Sequence, residues 1–139
     1  MPVKGTFGAA MGLCIVKRRE FARWQKAQGV ADAALCMAAR EIDAGLVDAN
    51  LGGFLYKKRI ARDNGGKRGG YRTLVSMKVG ERYVFLHGFA KSATGNISQA
   101  EASALRYAGK VFLNLSGFEF EKALSSGVLL RVFCNEQDH

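Results

Sequence analysis

A chain of 139 residues with 48% hydrophobic content and a single proline, Pro2, is sized for one folded domain with its own core, which excludes disorder and low-complexity roles. It contains no apolar run of about 18 residues, which excludes a membrane-spanning helix. Its net charge of +9 is concentrated: Lys57 to Lys91 hold ten Lys/Arg against Asp63 and Glu81, a net of +8, and a localised field of this kind suits a polyanion or an acidic partner.

Residues 1–13, with Lys4 ahead of "GTFGAAMG", read as a leader feeding a first strand in "GLCIV", residues 12–16. From Arg18 to Gln28, Phe21 and Trp24 recur at helical spacing and Gly29 is a stop signal, which predicts a short amphipathic helix. Asp32 is placed to cap a second helix with the apolar stripe Leu35, Ala38, Ala39 and Ile42, ended by Gly45. After the turn-rich "GLVDANLGG" the period changes. Three β-rich runs, 54–62, 71–78 and 82–89, are separated by "DNGGKRGG" and "VGE", the pattern of an antiparallel meander. Ser98 or a neighbour opens a third helix with Ala102, Leu105, Ala108 or Gly109, and Phe112 inward. "EFEKALSSG" adds one or two helical turns and "VLLRVFC" a final strand. The expected architecture is α+β, a small antiparallel sheet with N-terminal helices and a C-terminal helix packed on one face, all within one domain spanning 1–139.

Strand alternation distributes the charges. Lys58, Ile60 and Arg62 share one face, Lys57, Arg59 and Ala61 the other. Arg72, Leu74 and Ser76 oppose Tyr71, Thr73 and Val75. Strict alternation in the third run sets Tyr83, Phe85, His87, Phe89 and Lys91 against Val84, Leu86, Gly88 and Ala90. Which parity faces outward is open at this level.

The three cysteines, Cys14, Cys36 and Cys134, are odd in number and lack CxxC spacing, so they read as small buried residues in a reducing compartment. His87 and His139 stand apart from carboxylate or thiolate clusters, and no metal or cofactor is expected. "GGKRGG" lacks the GxxxxGK[ST] register of a phosphate loop and reads as a hairpin connection. The remaining candidates are cations and aromatics on adjacent strands: Lys57, Lys58, Arg59, Arg62, Lys67, Arg68, Tyr71, Arg72, His87 and Lys91. Arg binds phosphate bidentately, a lysine crowded by cations can act as a base, and aromatics such as Tyr71 and Phe89 can stack on splayed bases. That set suits RNA cleavage by the substrate's own 2′-hydroxyl. A solvated basic face and a surface for an acidic protein are the other readings of the same residues.

The ordered motifs "FARW", "AALC", "GLVDANLGG", "KKRIAR", "GKRGGYRTLV" and "GFAK" followed by "NI" resemble a HigB-like branch of the RelE/ParE toxin superfamily, over roughly Lys17 to Leu115 and more loosely the "ALSSGVLLRV" tail. The resemblance implies a compact cytoplasmic toxin with helices against an antiparallel sheet. It also implies a small antitoxin partner, often of helix-turn-helix type. Its best-understood members cut mRNA in the ribosomal A site. On that template Arg72 matches the arginine that holds the scissile phosphate, Lys91 the basic residue ending the following strand, and Lys58 and Arg62 basic positions on the preceding strand. Arg72, Lys91 and Lys58 are thus the catalytic candidates, with Lys57, Arg59, Arg62, Lys67, Arg68, Tyr71 and His87 for binding RNA. Ile97 stands where RelE has a tyrosine, which leaves the general base unassigned. The ParE branch shares the fold but acts on DNA gyrase, and a member that only binds its antitoxin is a third reading.

Overall fold

The computed structural model describes residues 13–60, 70–90 and 97–134. The described elements are β1 (Cys14–Arg18), α1 (Arg19–Gln28), α2 (Asp32–Asp43), β2 (Ala49–Asn50), β3 (Leu55–Ile60), β4 (Tyr71–Lys78), β5 (Arg82–Ala90), α3 (Gln99–Leu113), α4 (Gly117–Ser125) and β6 (Leu129–Arg131). The sheet order is β2-β3-β4-β5-β1-β6, with β1 parallel to β5 and all other neighbours antiparallel. The α+β class and the central meander are as expected. The parallel β1–β5 pair adds the first described strand beside the meander, and β6 then closes that edge. No described helix is long and apolar enough to cross a membrane.

Helices cover both faces of the sheet, not one. Phe21, Leu35, Ala38, Ala39 and Ile42 of α1 and α2 pack with Tyr71, Val75, Met77, Tyr83 and Phe85. Leu105 and Leu113 of α3 and Phe120 of α4 pack on the opposite parity, with Val16, Leu55, Leu74, Val84 and Leu86. The reason lies in β4 and β5, whose consecutive residues Leu74–Val75 and Val84–Leu86 are all at most 1% exposed. A strand apolar on both parities needs a layer on each side.

Local signals explain the helix ends. Ser98 accepts from the Glu101 N–H at 3.1 Å while the Ser98 N–H donates to the Glu101 carboxylate at 3.0 Å, and Ser116 with Glu119 repeats the arrangement at the start of α4. The expected Asp32 cap is corrected. Ala31 occupies the cap position of α2, and Asp32 Oδ1 instead accepts from Lys17 Nζ at 2.9 Å and Gln25 Nε2 at 2.8 Å, while Oδ2 accepts from the Phe133 N–H at 3.2 Å. The Lys17 ammonium on β1 offers the carboxylate a charged partner that a backbone N–H cannot match.

The cysteine reading is also corrected. Cys36 on α2 and Cys134 beyond β6 form a disulfide with a Cα–Cα distance of 5.8 Å, leaving Cys14 free among the described cysteines. A separation of 98 residues hides this pair from any spacing argument. The pairing of β6 with β1 carries the tail back to α2.

Candidate functional site

Two strands, β3 and β4, carry cations to one corner of the sheet, and β5 adds His87 and Phe89. Arg59 lies opposite Arg72, and Arg72 opposite Phe89. Two residues along, Lys57 lies opposite Leu74, and Leu74 opposite His87. Period-two geometry puts both rows on the α3/α4 face, with Leu74 in the core beneath α3.

A β-bulge brings His87 and Phe89 to that face. Val75 pairs with Phe85 and Leu74 with His87, so Leu86 is an extra residue in β5 and the alternation shifts phase there. The strict alternation expected from sequence is therefore corrected from His87 onward. Leu86 stays in the α3/α4 core, while Gly88 turns toward α1, where a Cβ would collide with the Trp24 ring. Both packing demands are met only if one residue is unpaired. The His87 and Phe89 rings then lie 5.8 Å apart.

The corner is electrostatically open. Among the described residues, the ion pairs join Lys17 to Asp32, Arg18 to Glu20, Lys58 to Glu41 and Arg131 to Glu121, and none involves Lys57, Arg59 or Arg72. Arg72 Nη1 is buried with no hydrogen-bond partner among the described residues. The Arg59 backbone N–H donates to Asp48 Oδ2 at 2.5 Å, which ties the end of β3 to the β2 side. Half-burial pushes the His87 imidazole below its ordinary value. The Arg18 charge pushes the same way and Glu101 partly opposes it. Arg18 reaches this position by donating Nε–H to the Leu86 carbonyl at 2.6 Å.

The structure divides the candidate residues. Lys57, Arg59, Arg72 and His87 come together. Lys58 lies on the α1/α2 face, 8% exposed, with Nζ 2.8 Å from Glu41 on α2. Tyr71 is buried on the same side, edge-on to Trp24 at 5.2 Å between ring centroids, and its hydroxyl donates to Gln28 Oε1 at 3.3 Å. Arg62, Lys67, Arg68 and Lys91 lie outside the described residues. Two further cations border the corner, Arg18 from β1 and Arg106 from α3, whose Nη1 donates to the Leu51 carbonyl at 2.8 Å. Neither belongs to the charge-dense quarter of the chain, so no local signal directs attention to them. No group of three or more His, Cys, Asp or Glu among the described residues could hold a metal ion.

Fold and corner together define a small α+β protein that presents unpaired cations from the central strands of a two-sided sheet. The model of the RelE family, the RelE toxin of the RelE/RelB toxin–antitoxin system, matches residues 13–132, and the chain belongs to that family. It is a toxin of a toxin–antitoxin pair, and an antitoxin partner follows from that membership. No curated protein matches the chain significantly.

Proposed function

We propose that this toxin arrests growth by cutting translated mRNA in the cytoplasm, as the HigB-like branch its motifs resemble would do, with the cationic corner as the cleavage site. One observation carries the reading: Arg72 Nη1 is buried and unpartnered between Arg59 and Phe89, on the face that also holds Lys57 and His87. A buried donor without an acceptor is costly, and a phosphate oxygen would satisfy it with a charge-assisted bond.

In the proposed reaction the RNA 2′-hydroxyl attacks the adjacent phosphorus. A 2′,3′-cyclic phosphate forms as the bond to the 5′ oxygen breaks. Neutral His87 accepts the 2′-hydroxyl proton, the departing 5′ oxygen takes a proton from water, and the proton on His87 returns to the hydroxide so formed. Arg72, with Lys57 and Arg59 beside it, stabilises the charge on the pentavalent phosphorus, and the resemblance adds Lys91. Lys58 has no part in this chemistry, since its ammonium is held by Glu41 on the opposite face. The ribosome would position the RNA, because a weak base gains much from orientation.

The test is induced expression in a bacterial host with transcript 5′ ends mapped, wild type beside Arg72→Ala. Growth arrest with new in-frame ends, both lost in the variant, is expected. Arrest with intact transcripts would sink the nuclease reading and redirect attention to gyrase.

A further inference from the structure

Beside the cationic corner a cavity of about 290 Å³ opens between α3 and strands β3 to β5. Leu74, Phe89 and Ala102 supply apolar wall, and Lys57, Gln99 and Arg106 supply polar lining. We infer that this cavity binds one unpaired nucleobase of the RNA, next to the phosphate held by Arg72. The inference rests on the nuclease reading above and names a subsite of the same surface.

Size is the first argument. The cavity lies at the small end of ligand pockets, roughly 300–1,000 Å³, which admits a single planar base but not a peptide helix. Chemistry is the second. An aromatic ring among aliphatic walls offers a stacking surface for a neutral base, while the cations leave the attached phosphates in a positive field. Register is the third. Arg72 and Phe89 are direct cross-strand partners, with Cβ atoms in such pairs about 5 Å apart. A nucleotide whose phosphate sits on Arg72 therefore reaches Phe89 with its own base. Lys57, opposite Leu74 in the next row, lines the same cavity. The bulge at Leu86 thus serves both parts, since without it Phe89 would lie beneath Trp24's layer. Gln99, exposed near the N-terminus of α3, can offer its carboxamide donor and acceptor to the base edge.

The experiment uses the purified full chain and a short single-stranded RNA with 2′-O-methyl sugars, which cannot be cut, carrying a photoreactive thio-base. Cross-linking to the wild type is expected within Phe89 or residues 97–102, and cross-links confined to other segments would overturn the subsite. Ala102→Phe, which fills the cavity, should weaken RNA binding at least tenfold with its unfolding midpoint near wild type. Gln99→Ala should bind but change the nucleotide preferred beside the cut in mapped transcripts. Undiminished binding by Ala102→Phe would overturn the subsite even if Arg72→Ala abolishes cutting, which leaves the nuclease reading standing. Cross-links in the cavity with transcripts intact in cells would retain the subsite and remove the nuclease reading.

Discussion

Lys58 and Arg72 are adjacent-strand cations with opposite situations. Lys58 is buried against a carboxylate 2.8 Å away, and Arg72 keeps a buried nitrogen without an acceptor. Substitution separates the two roles. Lys58→Met keeps the aliphatic packing and removes the pair, so a stability change within about 1 kcal/mol and unaltered growth arrest are expected, because Glu41 is partly exposed and can hydrate. Arg72→Met should leave stability unchanged or raised and abolish arrest. Unfolding midpoints and growth curves for the two variants check this. His87 gives a pH signature of its own. Its folded-state value lies below the ordinary 6.5, so its contribution to stability is complete above that value and is lost as pH falls through the lower one. The wild type should lose more stability than His87→Gln between about pH 7.5 and about pH 5, measured by thermal unfolding. Parallel pH profiles would mean that His87 is not held against protonation.

Among the secondary-structure elements, α3 approaches β4 closely where Gly109 faces Ser76. A Cβ at Gly109 would collide with the Ser76 side chain, whose Oγ is buried without a partner. Gly109→Ala should therefore cost about 1–3 kcal/mol from overpacking, against at most about 1 kcal/mol regained in helix propensity. Ser76→Ala, which removes the unsatisfied hydroxyl, should be neutral or stabilising by up to about 1 kcal/mol. Denaturant midpoints at constant m-value measure both. The elements themselves were largely legible. Ser98 or a neighbour marks the start of α3, the Phe21–Trp24 spacing marks α1, and the β-rich run 71–78 is the span that β4 occupies. What was not legible depends on partners distant in sequence. Gly88 inside β5 is the one local hint of the extra residue, but its position is set by Leu86 and Gly88 facing different helices, which are distant in sequence. Period-two reading pairs Lys57 with Arg59 along β3 but cannot align that row with Arg72 on β4, which the register supplies, and it groups His87 and Phe89 with Tyr83 and Phe85, from which the bulge separates them.

The whole molecule is a sheet with two layers, and the candidate site and the disulfide belong to different ones. Cys36 packs in the α1/α2 core, whereas Lys57 and the cavity lie under α3, and Arg72 is on the same side of the sheet. The disulfide closes a separation of 98 residues, and cross-links of that span stabilise typically by about 2–4 kcal/mol, with a chain-entropy limit near about 4.7. Two hydrogen bonds hold the same tail independently, Val132 N–H to the Ile15 carbonyl at 3.0 Å and Phe133 N–H to Asp32 at 3.2 Å. Burial works to raise the Asp32 value, but the bonds from Gln25, Lys17 and Phe133 outweigh it and hold its carboxylate ionised at neutral pH. The tail thus has a second anchor that reduction does not touch. Cys36→Ala with Cys134→Ala, or the wild type under reductant, should lose about 2–4 kcal/mol in chemical denaturation yet remain folded at 25 °C with growth arrest intact. If the variant keeps its circular dichroism but loses arrest, the two layers are coupled and the cationic corner depends on how the tail is fastened behind it.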